Sequence, residues 1–171
     1  GTAYKDLRKM LIENYLYAVV SLPAGVFNPY SGVKTSILLL DSALAKKSTE
    51  VLFIKIDNDG YSLGSQRGVV KGGQLEEAIN IAKSFKQSVF EETDFKNTSS
   101  AHSVDKKEIA KNGDYNLSGE RYKVISVVDS NYEMVELSDK RLFDVVSGGT
   151  PSSKEEAYWN GNINWATLVD L

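Results

Sequence analysis

Asn28-Pro29-Tyr30 is the first run in this chain whose residue types could do chemistry. An asparagine side-chain carbonyl and a neighbouring backbone carbonyl can together grip an exocyclic amino group beside a bound methyl donor. That chemistry needs a glycine-rich cofactor loop upstream, and none precedes Asn28 here. The residues that follow also become a strand too soon. The run is therefore read as a proline loop without a catalytic role.

The other candidates are weaker. His102 is the single histidine; it sits in a polar stretch without a partner at ligand spacing, and is read as a solvent-exposed loop residue. Ser103, His102 and Asp105 hold the residue types of a nucleophilic triad, but close neighbours in sequence rarely reach that geometry. The pairs Glu76-Glu77, Glu91-Glu92 and Glu155-Glu156 are adjacent, so they diverge on a helix and read as solvated charge. Gly60, Gly64, Gly68, Gly72 and Gly73 fit neither phosphate-binding pattern. Cysteine is absent, which removes disulfides, thiolate zinc sites and cysteine nucleophiles, and fits a cytoplasmic protein. No catalytic, cofactor-binding or metal-binding residue is assigned.

These residues must be carried by elements that the apolar pattern reveals. The 171 residues, 42% hydrophobic and 25% charged, suit one domain or pieces of two. A net charge of −3 argues against strong nucleic-acid binding by the chain alone, because such binding draws on a basic face. No signal peptide or membrane-length apolar run is visible, so no membrane partner is expected. Tyr4 to Asn14 reads as a helix, with Leu7, Met10 and Leu11 at helical spacing. Strands are expected at Tyr15 to Leu22, at about Lys34 to Leu40 with both faces buried, and at Glu50 to Ile56. Pro23 to Gly32 must be a loop, and Asp57-Asn58-Asp59-Gly60 a turn. After an exposed glycine-rich loop, Gln74 to Phe90 reads as a helix. Glu91 to Gly113 reads as a mobile or weakly helical connection. Short strands are expected within Tyr122 to Val128 and Tyr132 to Leu137, and a short helix at Ser138 to Val146. The chain reads as opening in mid-helix and stopping abruptly at Leu171.

Leu22-Pro23-Ala24-Gly25-Val26-Phe27-Asn28-Pro29-Tyr30-Ser31-Gly32-Val33-Lys34-Thr35-Ser36-Ile37-Leu38 is the most informative stretch. A strand, a loop with two aromatics, then Gly-Val-Lys-Thr-Ser-Ile-Leu entering another strand resembles the adenine methyltransferase (modification) subunits of type I restriction–modification systems. It is equally similar to fused methylase–specificity enzymes. Asn58-Asp59-Gly60-Tyr61-Ser62-Leu63, Tyr115-Asn116-Leu117-Ser118 and Arg121-Tyr122 follow in the family's order. The resemblance extends over most of residues 1 to 123.

The resemblance implies an α/β fold in which residues 15 to 56 form the last three strands of a Rossmann-like methyltransferase sheet, ending in an antiparallel pair. It places residues 1 to 95 in the methylase, 96 to 123 in a connector, and 124 to 171 at the start of an α+β target-recognition domain. The S-adenosylmethionine loop and the Asn-Pro-Pro-aromatic catalytic motif lie upstream in the family, so the chain itself is not expected to bind that cofactor. Such enzymes flip adenine out of the duplex into a pocket. Phe27 or Tyr30 could line that pocket, and Lys34 and Thr35 could touch phosphate. The plain alternatives are that Phe27 caps the sheet and Lys34 is solvated.

A second series, Leu142 to Ser152 with Ser147-Gly148-Gly149-Thr150-Pro151 at its centre, then Tyr158-Trp159 and Ile163-Asn164-Trp165, resembles the opening of a type I specificity-subunit recognition domain. Asn164 departs from the proline common there. Ser147 and Thr150 could contact DNA, or simply stabilise a turn. Trp159 and Trp165 suit core or interdomain anchors. Duplex DNA and other restriction–modification subunits or domains are the implied partners. The implied parent function is transfer of a methyl group from S-adenosylmethionine to adenine N6; the rival reading is a non-catalytic assembly or specificity module.

Overall fold

A computed structural model describes residues 2–123, 135, 138–146, 149, 152, 154–158, 161 and 162. The chain divides into two compact units, Gly1–Ile125 and Ser126–Leu171.

The first unit is built on a four-stranded mixed sheet. Its elements run α1 (Thr2–Asn14), β1 (Leu16–Ser21), β2 (Ser36–Leu40), α2 (Ser42–Lys47), β3 (Glu50–Lys55), α3 (Leu75–Glu91), β4 (Ala101–Asp105) and α4 (Lys106–Ala110). The spatial order is β2-β1-β3-β4. β1 pairs antiparallel with β2 and parallel with β3, while β3 pairs antiparallel with β4. The sheet is open, and the three expected strands neither close into a barrel nor run the same way.

Alternation along the central strands assigns side chains to two cores. Ala18, Val20, Leu52 and Ile54 point to the face covered by α3, where Ala78 and Phe85 are buried. Leu16, Val19, Val51 and Phe53 point to the other face, with Ile12 of α1, Val104 of β4 and Ile109 of α4. Burial on both sides explains why β1 and β3 are nearly continuous apolar runs. Local chemistry sets the helix ends. Asp41 caps α2 by accepting from the Leu44 amide at 3.0 Å, and Glu92 closes α3 in the left-handed region at φ 58°.

Three expectations change. Glu91 to Gly113 is not a loose connection: Ala101–Asp105 completes the sheet, and Asp105 then caps α4. The polar sequence concealed β4 because an edge strand needs few buried residues, and here Ala101 and Val104 suffice. His102 therefore lies on a strand, half-buried, rather than on an exposed loop. β2, expected to be buried on both faces, is exposed: Ile37, Leu38 and Leu40 keep 45%, 36% and 54% of their surface. Among the described residues it has β1 on one side and no strand on the other.

The 3₁₀ turn Gly119–Tyr122 ends a segment laid over the α1 face. Arg8 donates to the carbonyls of Asp114 at 2.7 Å and Tyr115 at 3.0 Å, and Tyr122 stacks at a tilt on Phe53 with centroids 5.6 Å apart. The stretch 96–123 packs as part of the first unit.

In the second unit, Ser138 to Val146 is not helical. Asp139 accepts from the Arg141 amide and guanidinium, and its carbonyl closes a turn with Leu142 and Phe143. This local side-chain bond competes with helix formation. Glu156–Tyr158 forms one 3₁₀ turn. Ser147, Thr150, Trp159 and Trp165 lie outside the described residues, as do most of the strands expected at Tyr122 to Val128 and Tyr132 to Leu137; Tyr122 itself closes the 3₁₀ turn.

Candidate functional site

β1 and β3 run parallel, so their carboxyl ends open on the same edge of the sheet. Two long loops leave from there, residues 22–35 after β1 and 56–74 after β3. In open α/β sheets this edge is where ligands are met.

The first loop is a compact knot. Gly25 takes φ +84°, the Asn28 amide returns to the Gly25 carbonyl at 3.0 Å, and Tyr30 and Ser31 both donate to the Phe27 carbonyl. The Asn28–Pro29 bond is cis. Phe27 is left half-exposed and Tyr30 stands 94% exposed. Val33 and, from the second loop, Tyr61, Leu63 and Val69 are exposed as well, an unusual number of bare apolar side chains for two loops.

The second loop is tied at its base. Gln74 Oε1 accepts from the amides of Asp57 and Asn58, and Asn58 donates to the Lys71 carbonyl. Gly73 lies so close to Gly60 that a Cβ there would sit 2.9 Å from its Cα. Asp59, almost fully buried, pairs with Arg67, whose guanidinium also reaches the Val26 carbonyl and lies over the Tyr61 ring at 5.6 Å. Asn28 donates to the Leu63 carbonyl at 2.8 Å. The sequence reading missed Arg67 and Asp59. Their signal was a lone arginine within a glycine-rich loop that opens on Asp-Asn-Asp-Gly.

Lys34 is ion-paired: its Nζ is 3.2 Å from Glu120 Oε1, which also lies 3.9 Å from Lys55. A hydrogen bond from Lys55 to Asp57, reinforced by the charge of that carboxylate, raises the Lys55 pKa. The Thr35 hydroxyl is shielded and finds no partner among the described residues, while its carbonyl accepts from Leu22. The structure thus brings Phe27, Tyr30, Lys34 and Thr35 onto one edge. Nearby, a hollow of about 380 Å³ is lined by Arg8, Ser21, Lys34, Ser36, Asn116, Leu117 and Ser118. Behind Ser21 and Lys55, His102 stacks on Phe53, and its Nε2 lies 3.0 Å from the Gly119 carbonyl oxygen. Burial lowers the His102 pKa, the Gly119 bond opposes that shift, and the positive charge of Lys123 adds to it.

Residues 1–130 match the family described as N-6 DNA methylase. The chain belongs to that family. Two solved structures are similar to it, and the first of them shares its fold. One, from a study of complex assembly and conformational transition in the type I R-M system, aligns over 75% of this chain at 21% identity with a TM-score of 0.55. A crystal structure described as a type I restriction enzyme modification subunit from Vibrio vulnificus YJ016 aligns over 70% at 18% identity, with a TM-score of 0.48. This chain spans 27% and 25% of those two chains.

Enzymes of this family take their methyl group from S-adenosylmethionine. The close glycine approaches among the described residues offer that cofactor no cradle. The close backbone approaches at Gly25, Gly73 and Gly119 are filled by Asn28, Gly60 and Phe53, so they leave no cradle for a ligand. The glycine-rich loop from β3 into α3 is closed on itself by the Gly73–Gly60 approach and the Asp59–Arg67 pair. Among the described residues, no helix is long and apolar enough to cross a membrane.

Proposed function

We propose that this chain is the C-terminal part of an N6-adenine DNA methyltransferase of a restriction–modification system, joined to the start of a target-recognition domain. Residues 1–95, extended by the packed segment 96–123, form the methylase portion; residues 124–171 open the recognition domain. The parent enzyme transfers the methyl of S-adenosylmethionine to adenine N6 in a specific duplex sequence. Its cofactor and catalytic motifs lie upstream of this chain.

The reading is carried by one observation: a chain of the N-6 DNA methylase family presents a half-exposed Phe27 and an exposed Tyr30 on one loop at the carboxyl ends of parallel strands. A flipped base needs an aromatic or apolar surface to replace the stacking it loses. In this reading Phe27 and Tyr30 form part of the target-base pocket, while Lys34, Thr35, Ser147 and Thr150 contact the DNA backbone. The exposed edge of β2 supports the Rossmann-like part of the proposal, because a run of four apolar residues suits a strand with neighbours on both sides.

The test uses the full-length enzyme and duplexes carrying 2-aminopurine at the target adenine. Phe27→Ala and Tyr30→Ala should each reduce the fluorescence rise on binding and slow methylation, about 5- to 150-fold where a stacking contact of about 1–3 kcal/mol is lost. Wild-type flipping and turnover in both variants would refute the assignment.

The exposed β2 edge also favours a second reading, in which the chain is a non-catalytic assembly or specificity module that docks subunits. Titrating the 171-residue chain with S-adenosylmethionine and with duplex DNA separates the two. The methylase-fragment reading expects no cofactor binding and only weak, salt-sensitive DNA binding. Tight, sequence-specific DNA binding by the chain alone would favour the second.

A further inference from the structure

We propose that Arg67, seated by Asp59, is a positioning residue that fixes how Phe27 is presented; its role in the reaction rests on the function proposed above. The geometry is a bridge between two loops with little else to hold them together. Asp59 is one of three buried polar or charged residues among those described, at 8% exposure. Its Oδ1 accepts from the Tyr61 amide, and its Oδ2 is committed to Arg67. A carboxylate withdrawn from water in this way needs its cation, so Arg67 is held in place by its own loop.

From that seat the guanidinium reaches across to the Val26 carbonyl. The second link between the loops, Asn28 to the Leu63 carbonyl, lies two residues further along the first loop. The two links fall on Val26 and Asn28, so they bracket Phe27. Neither Val26 nor Asn28 belongs to a strand; among the described residues the backbone between them is otherwise held by the loop's own turn, with the Val26 side chain packed against the core on the α3 side. A planar fork with several donors can serve Asp59 and Val26 together, whereas a lysine ammonium on a flexible stem cannot be held to both at once with the same geometry.

Amide hydrogen exchange and steady-state methylation of the full-length enzyme test this together. In Arg67→Ala, exchange across residues 24–31 should accelerate at least about 10-fold while β1 and β3 stay protected. The kcat for methylation should fall about 10- to 100-fold, with KM for DNA changed far less, as expected when a contact group is displaced without being removed. Arg67→Lys should give an intermediate result in both readouts, and it replaces Arg67→Ala as the test if the alanine variant also loses protection in the strands. Unchanged exchange across 24–31 in the folded variant overturns the proposal. Faster exchange with unaltered methylation upholds the coupling of the loops, and overturns instead the assignment of Phe27 to the target-base pocket.

Discussion

Gly119 lies flat against Phe53: a Cβ at residue 119 would stand 2.7 Å from the Phe53 Cβ and 2.8 Å from its ring. The contact joins the 114–122 segment to the centre of β3, a part of the sheet that cannot retreat. Gly119→Ala should therefore lower stability by about 1–3 kcal/mol, the usual cost of overpacking. Gly64 has open space around it, so Gly64→Ala should stay within about 0.5 kcal/mol. Urea denaturation of both variants checks the contrast, and equal midpoints would contradict the packing argument.

His102, whose ring faces the carbonyl of Gly119, makes stability depend on pH through its burial. Burial lowers the folded-state pKa of His102 below its ordinary value of 6.5. The unfolded state then binds the proton more readily than the folded one, so the stabilisation is complete above pH 6.5 and is lost as pH falls through the lower, folded value. His102→Gln should flatten this part of the curve. Unfolding midpoints of the two proteins at pH 7.5 and 5.5 test it; parallel slopes would show that His102 does not contribute.

Much of this architecture is legible in the residue pattern. The apolar runs of β1 and β3 and the single apolar stripe of α3 announce themselves because each buries enough surface to need it. α2 and β4 are hidden for the opposite reason. α2 depends on one Asp41 cap, and β4 on pairing with β3 rather than on side chains of its own. The aromatics of the candidate site could be read from the loop sequence, but not the Arg67 bridge. Contacts between residues 26, 28, 63 and 67 are made by tertiary closure of two loops, to which no local spacing points.

β2 carries Ile37 and Leu39 toward α3, and Leu38 and Leu40 toward the α1 face, at an edge with no neighbour among the described residues. Flat apolar edges template association. The 171-residue chain should therefore self-associate as its concentration rises, and Leu40→Lys should suppress this by placing charge on the edge. Sedimentation velocity over a concentration series reads both. In the full-length enzyme the same substitution should reduce folded yield if, as proposed, further sheet covers the edge. Monomeric wild-type chain at every concentration, with a full-length variant that folds normally, would remove the edge as a joining surface.

Lys34 and Glu120 are exposed partners, so their pairing should matter more for DNA than for stability. If Lys34 meets a phosphate in the complex, Glu120 competes for it, and Glu120→Gln should tighten duplex binding by the full-length enzyme. One added phosphate contact steepens the dependence of log K on log salt by about 0.9. Removing any acid weakens general repulsion of DNA, so Glu108→Gln supplies the control for charge alone. The decisive comparison is Lys34→Gln combined with Glu120→Gln. The double variant should lose the added slope because no cation remains at residue 34 to meet the phosphate. A slope that rises equally in the Glu108 control, or persists in the double variant, would leave Lys34 as a solvated lysine with a surface partner.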